Sequence, residues 1–344
     1  QNHKKKTMAL AAASSVPSGS FRIILGTMTF AGQTNKSTAA EMIQYFIQNN
    51  KLEKRPFVEL DTARMYEYGA TETLLGEVIT DYKLKDKVIV ASKMNAFTTH
   101  DKSLAPESCD RQCTQSLTDL KTDCVEIMYL HAPDPNNPIE PTLETVQQMY
   151  VAGKFKELGL SNYSAWEVAY IHGYMKAKGY VVPTVYQAMY NALTRDIELE
   201  LIPCLRKLDM RCYVYNPLAG GILTGKHSFT STATGGRFFN NKKYQDRFWK
   251  ESFFSALDLV KTECDKHNIT LASAALRWVR HHSMLSGSFN DGLIIGASSM
   301  SHFEDNLTNV HEGPLPMSIA DAFDSAWVIT KPDCPSYFRE QSRV

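Results

Sequence analysis

The chain has 344 residues, and its 37 basic and 37 acidic side chains cancel, with 43% hydrophobic residues and seven cysteines. A balanced charge without long runs of one sign excludes an electrostatic footprint for nucleic acid or an anionic membrane. No apolar run approaches the roughly 18 residues that span a bilayer. A soluble, cytoplasmic protein with a small, uncharged or weakly charged partner is expected. The cysteines (Cys109, Cys113, Cys124, Cys204, Cys212, Cys264 and Cys334) are odd in number and form no CxxC pair, which points to reduced thiols. Cys109 and Cys113 share one helix face and read as structural.

Residues 1–20 are small, polar and aperiodic, and read as a disordered tail, a trimmed leader or an expression remnant. From there, eight short apolar segments read as strands: FRIILGT (21–27), FVELD (57–61), KVIVASK (87–93), VEIMYLH (125–131), KELGLSN (156–162), TVYQ (184–187), RCYVYN (211–216) and GLIIGASS (292–299). Between them, apolar residues recur at three and four residue spacing over 37–50, 70–80, 105–120, 141–152, 164–178 and 194–207, the period of amphipathic helices. Residues 217–245 are rich in Gly, Ser and Thr and read as a long loop, of a length usually given to lids or binding loops. Helices are then predicted over 246–267, 270–282, 301–309 and 318–330. Strict alternation of strand and helix implies a parallel sheet covered by helices, and eight units close a (β/α)8 TIM barrel. Residues 21–344 are expected to form this single domain, which is large but within the range of such barrels.

In a parallel barrel every strand ends on one rim, so polar residues at strand ends converge although far apart in sequence. Asp61, Lys93 and His131 end three successive strands, and Tyr66 lies five residues past Asp61 in LDTARMYEYG. A phenol is a poor acid near neutrality unless a cation favours its ionised form. Lys93 would supply that cation, Asp61 would hold the lysine, and His131 would hydrogen-bond both the phenol and a substrate oxygen. Such a set suits protonation of a carbonyl oxygen while another agent attacks its carbon. The competing structural reading is a rim ion pair beside a satisfied histidine and a half-buried tyrosine.

With LGTMTF (25–30), DTARMYEYGATETLLGE (61–77), YLHAPD (129–134), GKFKELGLSNYSAWEV (153–168), YNPLAGGILTGK (215–226) and IIGASS (294–299) in this order, the chain resembles the aldo-keto reductase superfamily. YNALTR, GRFF, RFWKE, AALRWVRHH and CPSYFR make it similar to the branch of aflatoxin-aldehyde and succinic semialdehyde reductases. The resemblance implies hydride transfer from NADPH to an aldehyde or ketone, with Tyr66 as proton donor. It implies a nicotinamide carboxamide clamp of Ser161, Asn162 and Gln187, with Tyr215 stacked on the ring. No GxGxxG follows the first strand, so a Rossmann site is not expected. The rest of the cofactor would lie along Asn216, Pro217, Leu218, Ala219, Gly220, Gly221, Gly225 and Lys226, with Arg237. The segment bearing Gly296, Ser298, Ser299, His302 and Glu304 would complete its site, because a helix N-terminus there favours anions. The wider superfamily places Lys-Ser and then Arg around the 2′-phosphate, where this chain has Gly296, Ala297 and His302.

For the substrate, the resemblance points to Met65 and Phe97 as apolar walls, with His131, Tyr244, Arg247 and Arg339 around the mouth. Guanidinium groups pair bidentately with carboxylates, so acidic or dialdehyde substrates such as succinic semialdehyde or aflatoxin dialdehyde are expected. Phe97 stands where the branch usually has Trp, and EQSRV follows Arg339. The branch also implies a homodimer. An alternative within the superfamily is a regulatory, NADPH-binding barrel like the channel-associated β subunits. No metal site is expected, because His281 and His282 sit at a helix end and no HxH ends a strand, and no GxSxG elbow supports a serine hydrolase.

Overall fold

The computed structural model describes residues 19–50, 55–96, 103–230 and 236–339. Eight strands, β1 (Arg22–Gly26), β2 (Val58–Asp61), β3 (Val88–Met94), β4 (Val125–Leu130), β5 (Phe155–Ser161), β6 (Pro183–Met189), β7 (Arg211–Tyr215) and β8 (Gly292–Ile295), pair in parallel with their sequence neighbours. Pairing of Ile24 with Ile294 closes β1 onto β8, so the sheet has no edge. The eight predicted strands and their order stand in the structure. The helices α1 (Lys36–Asn49), α2 (Ala70–Asp81), α3 (Pro106–Asp119), α4 (Ile139–Val151), α5 (Ala165–Ala177), α6 (Leu201–Lys207), α7 (Lys242–Phe248), α8 (Glu251–Lys266), α9 (Leu271–His281), α10 (Met300–His311) and α11 (Met317–Thr330) wrap it. Their starts are written in the sequence: Asn35 accepts from the Thr38 amide, and Ser164 with Glu167 forms a capping box before α5.

Two helices depart from the periodicity. The stretch 194–207 carries helix only from Leu201, because Asn191 and Thr194 exchange backbone hydrogen bonds of 3.3 and 3.1 Å in a tight turn and a single 3₁₀ turn, Asp196–Glu198, follows. Pro203, which cannot donate a backbone hydrogen bond, is tolerated in the first turn of α6. The stretch 246–267 divides into α7 and α8, because Trp249 and Lys250 leave the helical region with ψ of 67° and 146°. That break turns the Trp249 ring against Phe238 and Phe254, each with its centroid 5.2 Å away. The same aromatic cluster fastens the long segment after β7. It is less of an open loop than its composition suggests, with 3₁₀ turns at Ala219–Thr224 and Gly236–Phe238 and with α7 starting at Lys242.

Side chains fill the barrel in layers. At the strand starts an ionic floor joins Arg22, Glu59, Tyr213, Arg211 and Glu157, with Arg22 Nη1 donating to Tyr213 OH at 2.6 Å and Arg211 Nη1 to Glu157 Oε2 at 2.7 Å. Above it Ile24, Ala91, Ile127, Tyr129, Val185 and Ile294 form a buried apolar layer. Gly159 on β5 is there because the Tyr129 ring occupies its side-chain space: a Cβ at Gly159 would lie 2.3 Å from Tyr129 Cδ1. The strand-end residues form the third layer. The seven cysteines are unpaired, and burial pushes the Cys109 thiol up to about 12 and the Cys113 thiol to about 11, which fits inert structural thiols.

The Gly159 contact yields a stability prediction. Gly159→Ala should destabilise by about 1–3 kcal/mol through overpacking, read as a fall in Tm. Gly173→Ala, on the exposed face of α5 with nothing within 4 Å of its added Cβ, should raise stability by up to about 1 kcal/mol. A Gly159→Ala barrel as stable as the wild type would mean that the middle layer is loosely packed.

Candidate active site

The third layer is built around Lys93, whose side chain is wholly buried at the end of β3. A buried ammonium is stable only with its three donors engaged. Lys93 Nζ donates to Asp61 Oδ1 at 2.8 Å, to Asp61 Oδ2 at 2.7 Å and to the Thr62 carbonyl at 2.7 Å. Gln187 Nε2, from the end of β6, donates to Asp61 Oδ1 at 2.8 Å. Three strands therefore converge on one carboxylate. Burial lowers the Lys93 pKa from its ordinary value, and Asp61 opposes that fall.

Tyr66 opens a 3₁₀ turn, Tyr66–Gly69, directly after β2. Its ring centroid is 5.4 Å from Lys93 Nζ and 6.2 Å from the His131 ring, which meets it edge-on at 82°. The four rim residues are thus brought together. One electrostatic expectation is corrected: the Tyr66 phenol lies well above its ordinary pKa rather than below it. Burial is the largest cause, Asp61, Tyr244 and Tyr215 add to it, and Arg237 pulls the other way. The Lys93 charge is spent on Asp61, so the pair offers the phenol little net field.

A second chain of hydrogen bonds runs along the ends of β5 to β7. Ser161 Oγ donates to the Gln187 carbonyl at 2.9 Å, and Asn162 Nδ2 to the His131 carbonyl at 2.8 Å. Tyr215 OH donates to Asn162 Oδ1 at 3.1 Å, and the Arg339 amide to the Asn162 carbonyl at 2.9 Å. Ser161, Asn162, Gln187 and Tyr215 therefore share one arc of the rim, although Gln187 is also the brace of Asp61, a role the sequence did not suggest. Thr62 was missed altogether, since it acts through its backbone oxygen and carries no residue-type signal.

The segment from Asn216 to Lys226, expected to bear a dinucleotide, has bare backbone at Gly220, Gly221 and Gly225, with φ of +70°, +118° and +71°. Asn216 Nδ2 is buried without a hydrogen-bond partner among the described residues, as a group awaiting a ligand would be. Pro217 and Leu218 are half-buried and Ala219 is buried. Lys226 Nζ lies 3.4 Å from His302 Nε2, which joins this segment to the first turn of α10, where Ser299 Oγ caps the His302 amide. Gly296 and Ser298 are exposed beside that helix start, and Glu304 is half-buried one turn on. These donors fit a phosphorylated dinucleotide: unhindered amide backbone, an unengaged carboxamide nitrogen, a helix N-terminus, a lysine and a histidine.

The mouth is cationic. Arg237 Nη1 donates to Tyr244 OH at 3.2 Å with its guanidinium 5.3 Å from that ring, and Arg247 stands 5.9 Å from the same ring. Arg237 was expected beside cofactor phosphates; here it faces Tyr244 and counteracts the rise in the Tyr66 pKa. Neither arginine forms an ion pair with a carboxylate among the described residues. Lys243, which the sequence did not single out, joins them: burial, Arg247 and Arg339 all lower its pKa. Met65 is half-buried beside Tyr66, whereas Phe97 lies outside the described residues. Among the described residues no group of three or more His, Cys, Asp or Glu side chains converges as a metal site would, and no helix is long and apolar enough to cross a membrane.

The sequence model of the aldo/keto reductase family matches residues 22–328. Aflatoxin B1 aldehyde reductase member 2 of Rattus norvegicus is 43% identical over 327 residues, covering 92% of this chain and 87% of the relative. Aldo-keto reductase family 7 member A3 of Homo sapiens is 41% identical over 327 residues, with 92% and 96% covered. An aldo-keto reductase of Pseudocercospora fijiensis is 40% identical over 295 residues, covering 83% of this chain and 98% of the relative.

Burial drives the His131 imidazole well below its ordinary pKa, and Lys93 and Lys243 add to the effect. The ring is neutral near pH 7, with one nitrogen to donate and one to accept. In the unfolded chain a histidine protonates near pH 6.5. The unfolded state then binds a proton that the folded state does not, so this contribution to stability is complete above that pH and is lost as pH falls below it. His172, His227, His281 and His282 are shifted in the same direction, so the variant must be compared with the wild type. His131→Asn should flatten the loss of stability between pH 7.5 and 5.5, by roughly 1 kcal/mol at the lower pH. Parallel Tm profiles for the two proteins would show that His131 is charged in the fold.

Proposed function

The chain belongs to the aldo/keto reductase family, and from that premise we propose that it reduces small aldehydes to alcohols with NADPH, Tyr66 giving up the proton. The observation that carries the reading is the placement of Tyr66 between His131 and the buried Lys93–Asp61 pair at the strand-end face of the barrel. NADPH would supply the hydride, held along Ser161, Asn162, Tyr215 and the segment from Asn216 to Lys226. Lys226 and His302 are the side chains in this chain suited to a 2′-phosphate, in place of the superfamily's larger basic set.

The chain's own residues perform the acid chemistry. A tyrosine with a raised pKa is fully protonated near pH 7. It is a weak acid toward a ground-state carbonyl, but the alkoxide that develops on hydride addition is a stronger base than phenolate, so the proton moves downhill as the reaction proceeds. Lys93 Nζ, 5.4 Å from the ring, is held by Asp61, so the basicity of the alkoxide rather than the field of the lysine drives the transfer. Neutral His131 donates one N–H toward the carbonyl oxygen and orients it, and Gln187 and Thr62 keep the ion pair from swinging into the mouth. Burial raises the Tyr215 phenol to about 12, so that ring stays neutral and presents an aromatic face with its hydroxyl tied to Asn162.

Arg237 and Arg247 about Tyr244, with Lys243 and Arg339 close by, favour aldehydes that carry a second, anionic or strongly polar group. The relative from Rattus norvegicus is named an aflatoxin B1 aldehyde reductase, and a dialdehyde in its hydrated form or an acidic semialdehyde would present such a group. The four cations at the mouth favour a catalytic reading over a regulatory barrel, since a partner-binding subunit needs no selective ring above its tyrosine.

Two measurements test the reading. Tyr66→Phe should keep NADPH affinity within about twofold and lose about 10²–10⁴ in kcat, the range of a general acid; retained turnover would remove Tyr66 from the reaction. Arg247→Ala should lower kcat/KM for an acidic aldehyde by about tenfold or more, the scale of one charge-assisted hydrogen bond, and change a neutral aldehyde far less. Equal losses on both substrates would sink the carboxylate assignment.

A further inference from the structure

Tyr66 sits in a segment that does not hold itself. Glu67, Tyr68 and Gly69 have φ of +44°, +56° and +97°, three consecutive residues in the left-handed region. Such a conformation costs about 1 kcal/mol or more for each non-glycine residue and persists only where the surroundings impose it. Tyr68 at the tip of the segment is 91% exposed, so its own side chain adds little restraint. The restraint comes from beneath. Arg64 Nη1 donates to Glu72 Oε2 at 2.8 Å and to Asp119 Oδ2 at 2.5 Å, and so ties the segment to α2 and to the end of α3. Glu72, fully buried, also accepts from Ser92 Oγ at 2.5 Å and Ser116 Oγ at 3.1 Å. Ser92 is the neighbour of Lys93, and the Arg64 amide donates to the Lys93 carbonyl at 3.2 Å. Gly69 closes over the guanidinium: a Cβ there would lie 2.3 Å from Arg64 Nη2.

We propose that the Arg64–Glu72–Asp119 ion-pair brace positions Tyr66 for proton transfer, and that Arg64 and Glu72 are positioning residues of the active site rather than general supports of the barrel. Arg64 lies two residues before Tyr66, and Glu72 holds the residue before Lys93, so one carboxylate sets the relative placement of both partners. Both bonds leave one nitrogen, Nη1, so the two carboxylates meet at a single point of the guanidinium. A misplacement of the reacting group by about 1 Å costs about 10²-fold in rate, so loosening the brace is felt in turnover before it is felt in cofactor affinity. The carboxamide arc and the segment from Asn216 to Lys226 lie on other strands and share none of these bonds.

The inference rests on the reading of Tyr66 given above, and its test separates the two. Arg64→Met and the milder Asp119→Asn are compared with wild type in two ways: hydrogen exchange over residues 62–70, and kcat with NADPH Kd measured by fluorescence. Expected are exchange about tenfold or more faster in that segment alone, kcat for aldehyde reduction reduced about 10–100-fold in Arg64→Met and less in Asp119→Asn, and NADPH Kd within about twofold. Arg64→Lys should recover only part of kcat. Unchanged exchange overturns the brace. Faster exchange with wild-type kcat, or equal losses in kcat and NADPH binding, overturns its role as a positioning device. Should Arg64→Met fail to fold, Asp119→Asn carries the same two readouts. A wild type that reduces no aldehyde overturns the reading of Tyr66, and the exchange arm then decides the brace by itself.

Discussion

A positive charge with no access to water governs the design of this barrel's upper end. Lys93 can remain an ammonium there only if every donor is engaged, and its three bonds to Asp61 and the Thr62 carbonyl dictate what stands nearby. Asp61 in turn needs Gln187, which brings β6 into the arrangement, and Gln187 needs its carbonyl satisfied by Ser161, which brings in β5. The polar rim is thus one connected object, held by the cost of leaving any of its members unpaired.

The same connectivity explains the electrostatics of Tyr66. A cation already paired within 3 Å by a carboxylate projects little field onto a phenol whose ring centre is 5.4 Å away, and burial then decides the direction of the shift. In the proposed reaction the tyrosine is a proton store before it is an acid. There, its reactivity would come from the change in its partner, from a carbonyl oxygen to an alkoxide, rather than from a prior weakening of its own O–H bond.

Architecture was largely legible in the sequence because strand and helix periods differ and alternate through the first seven strands, and because residues such as Asp61, Lys93 and His131 sit where apolar runs stop. Helix breaks at Asn191–Thr194 and at Trp249 were not legible: both come from long-range packing and turn formation that override a periodic pattern. The rim tetrad could be read from residue type, but Thr62 acts through its backbone and Gln187 faces two ways, and neither property has a sequence signature. Arg64 and Glu72 carry no sequence signal of their own, since an arginine and a glutamate eight residues apart usually mean solvent-exposed charge. Only the Gly69 close approach and the burial of Glu72 separate this pair from that ordinary case.

The Tyr129 ring seated over Gly159, with the ionic floor below it, makes the barrel a cup with a closed base. Approach to Lys93 from the strand starts is thereby blocked, which leaves the strand-end face. In the proposed reaction the arginines about Tyr244 would be passed twice in each cycle, first by a molecule bearing a carbonyl and then by one bearing a hydroxyl. A ring of charge strong enough to draw in the first must release the second, so affinity at the rim is bounded from above by the speed at which the cup can empty.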